Sequence, residues 1–314
     1  MNLLSARITN LTESATLAMA RKSRELTAKG LDIINLSLGE PDFATPEFIK
    51  DAAKAALDAN FTKYTPVNGY QDLRDAIALK FKRDNGIDYT ADQIVVSTGA
   101  KQSIANVVMS LVDPGDEVII PTPFWVSYEE MVKLAEGKCV FIRAGIETDF
   151  KITAEQLEKA ITPATKLMIF STPCNPTGSV YSKKELEGIA AVMERHPRLF
   201  VIADEIYEHI NFHGKHESLA TFASIRDRVI TVNGVSKGYA MTGWRIGFIG
   251  ASKEIADACT KMQGQITSGT CSIAQKAAKA AMLEDPKVTI PMREAFLKRR
   301  DLIQIGRASC RERV

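Results

Sequence analysis

The run Leu199-Phe200-Val201-Ile202-Ala203-Asp204 decides the fold class: five apolar residues in a row, too few for a helix, end on a carboxylate. An unbroken apolar run of this length suits a strand buried on both faces, as in a parallel sheet. Outward from it the same unit recurs. Residues 94–97 (IVVS), 117–121 (EVIIP), 167–171 (LMIFS), 229–234 (VITVNG) and 244–250 (WRIGFIG) are runs of the same kind, and helical stretches stand among them at 101–111 and 183–194. Upstream, 13–30 reads as an amphipathic helix ended by Gly30, and 46–57 and 70–83 as two more helices; a basic helix begins at Pro286. Strands alternating with helices give an α/β protein whose mostly parallel sheet is covered by helices.

The 314 residues hold 40 Lys and Arg against 38 Asp and Glu, a formal net charge of +2, and 45% are hydrophobic. That composition suits an ordinary globular chain and leaves no field to hold nucleic acid or an anionic membrane. No apolar run approaches the roughly 20 residues of a bilayer span. Arg7, Glu13, Arg21 and Lys22 interrupt the N-terminus where a secretory signal would be apolar. The 5 cysteines include no CxxC pair, so neither a disulfide framework nor a zinc site is expected, and a cytoplasmic location is. His209, His213 and His216 fall in a polar, hairpin-like stretch without ordered carboxylate neighbours, which argues against a metal there. Residues 305–314 (IGRASCRERV) stop the amphipathic pattern before them and match one frame of a sequencing-library adapter; they are expected to be an artefact.

In such sheets, sites gather at the carboxyl ends of strands. Asp204 closes one strand, with Tyr207 just beyond, and Asn175 lies in the loop 171–178 (STPCNPTG) after another. Ser236 and Lys237 follow VITVNG, with Arg245 further on, and Ser97-Thr98-Gly99-Ala100 joins a strand to a helix N-terminus. Free N–H groups and the helix dipole prepare that last turn for a phosphate. The set suits pyridoxal 5′-phosphate, whose aldehyde needs a lysine amine and whose ring nitrogen needs a carboxylate. Its phosphate needs N–H groups and a guanidinium, its phenolic oxygen needs donors, and its ring needs an aromatic face. Lys237, Asp204, the 99–101 turn with Arg245, Asn175 with Tyr207, and Trp125 supply these in turn.

The stretches 36–43 (LSLGEPDF), 63–78 (KYTPVNGYQDLRDAIA), 97–104 (STGAKQSI), 121–128 (PTPFWVSY), 171–182 (STPCNPTGSVYS), 203–210 (ADEIYEHI) and 232–248 (VNGVSKGYAMTGWRIGF) resemble the class I aminotransferases of the fold-type-I pyridoxal-phosphate superfamily. The likeness is to the bacterial aspartate aminotransferases, including those that also use prephenate. It implies a seven-stranded sheet in a large cofactor domain over 46–285, an N-terminal arm and part of a small domain over 1–45, and the start of the C-terminal small domain over 286–304. Lys237 then resembles the Schiff-base lysine and Asp204 the partner of the ring nitrogen. Asn175 and Tyr207 resemble the donors to the phenolic oxygen, and Trp125 the stacking ring. Gly99, Ala100, Lys101, Ser236 and Arg245 surround the phosphate, while Tyr64, and Ser268 with it, would reach the site of a second copy in a homodimer.

The same likeness gives Gly39 an N–H toward the substrate α-carboxylate, and Lys101 with Thr16 the distal carboxylate. The substrates it implies are L-aspartate and a 2-oxo acid, 2-oxoglutarate, and it implies cis bonds at Thr122–Pro123 and Asn175–Pro176. Two departures stand out. Ser268-Gly269-Thr270 replaces the usual Ser-Asn-Pro, and the arginine that clamps the α-carboxylate belongs to the C-terminal domain, past the adapter-like break. Other activities share the cofactor residues: aromatic or prephenate transamination, carbon–sulfur lysis, cyclopropane formation, and a non-catalytic sensor module. The sensors carry a DNA-binding segment ahead of the domain, and the near-zero net charge speaks against one.

Overall fold

The structure is a computed structural model that describes residues 3–13, 15–36 and 38–311. Its strands are β1 (Ile94–Ser97), β2 (Glu117–Thr122), β3 (Lys138–Arg143), β4 (Thr165–Ser171), β5 (Phe200–Asp204), β6 (Val229–Gly234) and β7 (Gly247–Gly250), in one sheet of order β1-β7-β6-β5-β4-β2-β3. β7 pairs antiparallel with both β1 and β6, and the remaining pairs are parallel, so six strands point one way.

Side chains alternate across each strand and feed two cores. Val95, Leu167, Ile169, Ile202 and Ile230 enter one, which α5 (Ala100–Leu111), α6 (Ser127–Leu134) and α9 (Lys253–Ile266) cover with Ile104, Val107, Met131, Val132 and Ile255. Ile94, Val96, Met168, Phe170 and Val201 enter the other. That second face lies under α3 (Glu47–Asp58), α4 (Gln71–Lys80), α7 (Ala154–Ala160), α8 (Lys183–Arg195) and α10 (Ser272–Leu283), through Ile49, Leu73, Ile77, Leu157, Leu186 and Ala277. Each such aliphatic side chain, fully buried, contributes about 1.5–3 kcal/mol. Two helices start where capping boxes fix them, Thr153 with Gln156 before α7 and Ser182 with Glu185 before α8.

Two helices precede α3, the short α1 (Ala6–Thr9) and α2 (Ala15–Ala28); Gly30 follows α2 at φ +81°, as expected of a helix-ending glycine. Several expected bounds move. Strand β3 was not foreseen: it carries the short apolar run 139–142, but as an edge strand its residues are mostly half-exposed or exposed. The strand expected from Trp244 begins only at Gly247, because Trp244 closes a 3₁₀ turn and Arg245 is left-handed. The helix expected to reach Arg83 gives way after Lys80 to a π-helical turn, Phe81–Asn85. His209 sits in a turn, His213 in a bend and His216 in irregular chain, not in a hairpin.

At the C-terminal side a 3₁₀ turn (Pro286–Thr289) leads into α11 (Ile290–Arg311). Its helical backbone runs on through the adapter-like stretch as far as Arg311, against the expected stop, and residues 312–314 lie outside the described residues. Phe296 of α11 meets Phe43 edge to face at 5.5 Å, and Arg299 pairs with Asp42 at 2.7 Å. No helix among the described residues is long and apolar enough to cross a membrane.

Candidate active site

The carboxyl ends of β1, β4, β5 and β6 share one edge of the sheet, and the reversed β7 begins there. This topology brings Arg245, just ahead of β7, back beside the turn after β1. Gly99, at φ +85°, stands at the head of α5, and a Cβ there would lie 2.2 Å from Arg245 Nη2. Only glycine permits both that backbone and that approach. The Arg245 guanidinium donates to the carbonyls of Thr242 at 2.9 Å and Thr98 at 3.4 Å, and no described carboxylate pairs with it. A cation with carbonyls alone for partners, beside the N-terminus of a twelve-residue helix, is a site for an anion such as a phosphate.

Asp204 is buried at the end of β5. It accepts hydrogen bonds from the Tyr128 hydroxyl at 2.7 Å and the Ile206 N–H at 3.3 Å. Burial pushes its carboxyl up to about 6 against these donors and the Lys237 charge. A buried carboxyl with no ion-pair partner of its own suits a protonated ring nitrogen. Tyr128 is the residue that sequence reasoning missed: it lies three positions after Trp125 in PTPFWVSY, and its ring meets Trp125 edge to face at 5.5 Å.

Lys237 follows β6, with Ser236 buried behind it. Its Nζ donates to the Gly39 carbonyl and lies 5.6 Å from the centre of the Tyr207 ring. Burial lowers the affinity of this amine for its proton, and Arg245 works the same way against Glu40 and Asp204. The Tyr207 hydroxyl is 3.5 Å from the Asn175 amide nitrogen, so the two donors expected at the phenolic oxygen sit side by side. Lys237, Asp204, Tyr207, Asn175, Gly99 and Arg245 thus occupy one edge, and their chemistry fits pyridoxal phosphate. Thr122–Pro123 and Asn175–Pro176 are cis, as expected, and Thr172–Pro173 is a third.

The outer residues are less gathered. Lys101 Nζ lies 5.0 Å above the Trp125 ring, and burial, helped by Arg245, lowers its pKa. It opens onto a 470 Å³ cavity between the N-terminal arm and α6, lined also by Thr12, Ala15 and Glu130. Thr16 is half-buried next to Ala15 but does not line that cavity. Gly39 presents its carbonyl, not its N–H, to Lys237. Ser268 is exposed with φ +62°, and Tyr64 is 100% exposed.

Behind the 204–209 turn lies a buried charged group. Glu205, Glu208 and His216 bring metal-type ligand atoms within 4.8 Å of one another, so the histidines do have carboxylate neighbours, contrary to the sequence expectation. Those carboxylates are already engaged: Glu205 with His216 at 2.9 Å and the Ser218 hydroxyl at 2.6 Å, Glu208 with Lys80 and the Asn85 amide. Lys80 inside the group stands where a cation would.

Comparison with known proteins places this geometry. A model of the family "Aminotransferase class I and II" matches residues 31–313. A probable aspartate/prephenate aminotransferase of Rickettsia bellii is 52% identical over 284 residues, 90% of this chain and 71% of that protein. The aspartate/prephenate aminotransferase of Cereibacter sphaeroides is 48% identical over 307 residues, 96% of this chain and 76% of that protein. The solved aspartate aminotransferase of Thermus thermophilus with maleate superposes with a TM-score of 0.95 at 40% identity, covering 98% of this chain and 81% of that one.

Proposed function

Because the chain belongs to the class I and II aminotransferases, pyridoxal 5′-phosphate enzymes that pass an amino group between an amino acid and a 2-oxo acid, we propose that its donor is L-aspartate and its acceptor 2-oxoglutarate. The observation that carries the choice is Lys101: an exposed cation beside Arg245 and Trp125, at the mouth of the site, with no described carboxylate as partner. A substrate with a second carboxylate supplies that partner, whereas an apolar one leaves a charge unpaired in a closing site. The maleate carried by the solved relative is a dicarboxylate of this class. The relatives named for prephenate, also a dicarboxylate, favour a second donor–acceptor pair built on the same cation.

In this reading Lys237 holds the cofactor covalently and Asp204 holds the proton on its ring nitrogen. Asn175 and Tyr207 bind its phenolic oxygen, Trp125 covers its ring, and Gly99, Ala100, Lys101, Ser236 and Arg245 surround its phosphate. Tyr64 and Ser268 reach the site of a second copy across a two-fold interface, so the working unit is a homodimer. The bound cofactor supplies an electron sink for the bond broken at the substrate Cα. Lys237, its amine released, carries the proton to and from that carbon, and burial eases this by lowering its pKa. Gly39 and Thr16 bind substrate at the mouth. Residues 46–285 form the cofactor domain, flanked by the arm and small-domain pieces over 1–45 and 286–304, and the enzyme works in the cytoplasm.

Donor profiles test the assignment. Aspartate with 2-oxoglutarate is expected to exceed alanine and phenylalanine, and Lys101→Ala to cost aspartate about ten- to hundredfold in kcat/KM while sparing the others. Equal loss on all donors removes the distal-carboxylate role.

A further inference from the structure

Lys80 and Glu208 are both almost wholly buried, one at the end of α4 and the other in the turn after β5. They form a closed ring with Asn85. Lys80 Nζ contacts Glu208 Oε1 and donates to Asn85 Oδ1 at 2.7 Å, while Asn85 Nδ2 donates to Glu208 Oε2 at 2.8 Å. Asn85 is in place because α4 loosens into the π-helical turn Phe81–Asn85, which turns its side chain back toward Lys80. Every polar atom of the three side chains contacts another of the ring, with one amide proton and one ammonium proton left over, which fixes where the Glu208 carboxylate sits.

Stability does not require such a ring. Replacing a buried ion pair with well-packed apolar residues is often neutral or stabilising, and what a polar pair adds is direction. Here the direction is that of the turn. Glu208 follows Tyr207, and its N–H donates to the Glu205 carbonyl at 3.0 Å. His209, next along, lies 3.3 Å from Glu208 through Nε2 and meets Tyr239 edge to face at 5.4 Å. A Cβ on Gly238, the residue after Lys237, would stand 2.6 Å from the His209 ring. The turn bearing Tyr207 and the segment bearing Lys237 are therefore pressed together by a histidine whose neighbour is locked in the ring.

We propose that Lys80, Asn85 and Glu208 are positioning residues for transamination: their ring sets the turn that aims Tyr207 and, through His209 on Gly238, the segment that aims Lys237. The proposal rests on the assignment of Lys237 and Tyr207 to the cofactor. It gives the buried charges a use that neither a metal nor the sheet's stability provides. A 610 Å³ cavity on the far side, lined by Asn85, Glu208, His209 and His216, gives solvent a way to this ring from behind the site.

The test is the double variant Lys80→Met/Glu208→Met in the cofactor-loaded enzyme, which strands no charge. A melting temperature a few degrees below that of the parent is expected, because the buried Asn85 amide loses both its partners, with kcat down about tenfold, KM for the amino donor little changed, and a shifted pH midpoint for the absorbance change of the lysine-linked cofactor. A folded double variant with parental kcat and midpoint overturns the proposal. Should the double variant not fold, Asn85→Ala leaves the ion pair and removes both hydrogen bonds that Asn85 makes to it; a smaller shift of the midpoint supports the role, and an unchanged midpoint overturns it. Lys237→Ala runs beside them. If it retains the lysine-linked absorbance, the cofactor assignment has failed, and the ring is not what was tested.

Discussion

The Tyr128 hydroxyl donates to Asp204 Oδ2 across 2.7 Å, with both side chains shut away from water. Ser171, at the end of β4, faces the same hydroxyl and accepts the Asn175 backbone N–H at 3.3 Å. One phenol therefore stands between the carboxylate proposed for the ring nitrogen and the strand end that holds the Asn175 loop, while its ring meets Trp125 edge to face at 5.5 Å.

Tyr128→Phe removes that hydroxyl and little else. The bond is made to a buried acid, so its loss should cost about 1.5–3 kcal/mol of Asp204 ionisation, or roughly one to two pH units. We expect kcat to fall about ten- to hundredfold with KM nearly unchanged, and the pH at which cofactor binding weakens to move up. Stopped-flow turnover and cofactor titration across pH measure both. A variant indistinguishable from the parent in both leaves the hydroxyl without a role in holding Asp204.

Asp204 itself sets a pH dependence. Its folded value, about 6, lies above the ordinary 3.8, so between these limits the folded protein keeps a proton that the unfolded chain has lost. Stability of the cofactor-free protein should therefore fall as pH rises from about 4 to about 6, by up to about 3 kcal/mol. Cofactor affinity should rise over the upper part of that window, because only ionised Asp204 pairs with a protonated ring nitrogen. Asp204→Asn is expected to flatten both profiles in melting and binding experiments; a sloping binding profile in that variant would assign the titration to another group.

The sheet was legible because its strands are buried on both faces, and runs such as VITVNG and LFVIAD carry that burial in their composition. β3 was not, since its run 139–142 is short, stands between Lys138 and Arg143, and lies at the sheet edge, where burial is only partial. The residues proposed for the cofactor were legible as a constellation, because each stands close to a strand end on the same edge of the sheet. Their supports were not. Tyr128 lies far in sequence from Asp204, and Lys80 and Asn85 far from Glu208, and an apolar core and a buried ion pair leave different marks only once the chain is folded. The histidines misled for the same reason, their carboxylate neighbours Glu205 and Glu208 being brought near His216 by the turn.

Gly99→Ala tests the phosphate turn. The substitution places a methyl on a backbone at φ +85° and into the space of the Arg245 guanidinium. Strain of this kind costs about 1–3 kcal/mol. Arg245 would also have to leave the turn, so the loss should appear mainly as a ten- to hundredfold weaker cofactor affinity, about 1.4 kcal/mol per factor of ten. A variant that melts lower but binds cofactor as tightly would show Gly99 to be only structural.

Tyr64 is 100% exposed, and no described group of its own chain holds its hydroxyl. A large aromatic left in water, in a segment whose likeness assigns it to the cofactor phosphate, makes sense if another copy's site receives it. Complementation decides this. Lys237→Ala and Tyr64→Phe proteins are each expected to be impaired, the first fully. In a mixed dimer, the lysine of the Tyr64→Phe copy and the tyrosine of the Lys237→Ala copy meet in one intact site, while the other site carries both defects. Equal mixing after dissociation should then give about a quarter of parental activity, since half the dimers are mixed and each has one good site of two. If Tyr64 served its own chain, no mixture would contain an intact site, and activity would stay at the mean of the two separate variants.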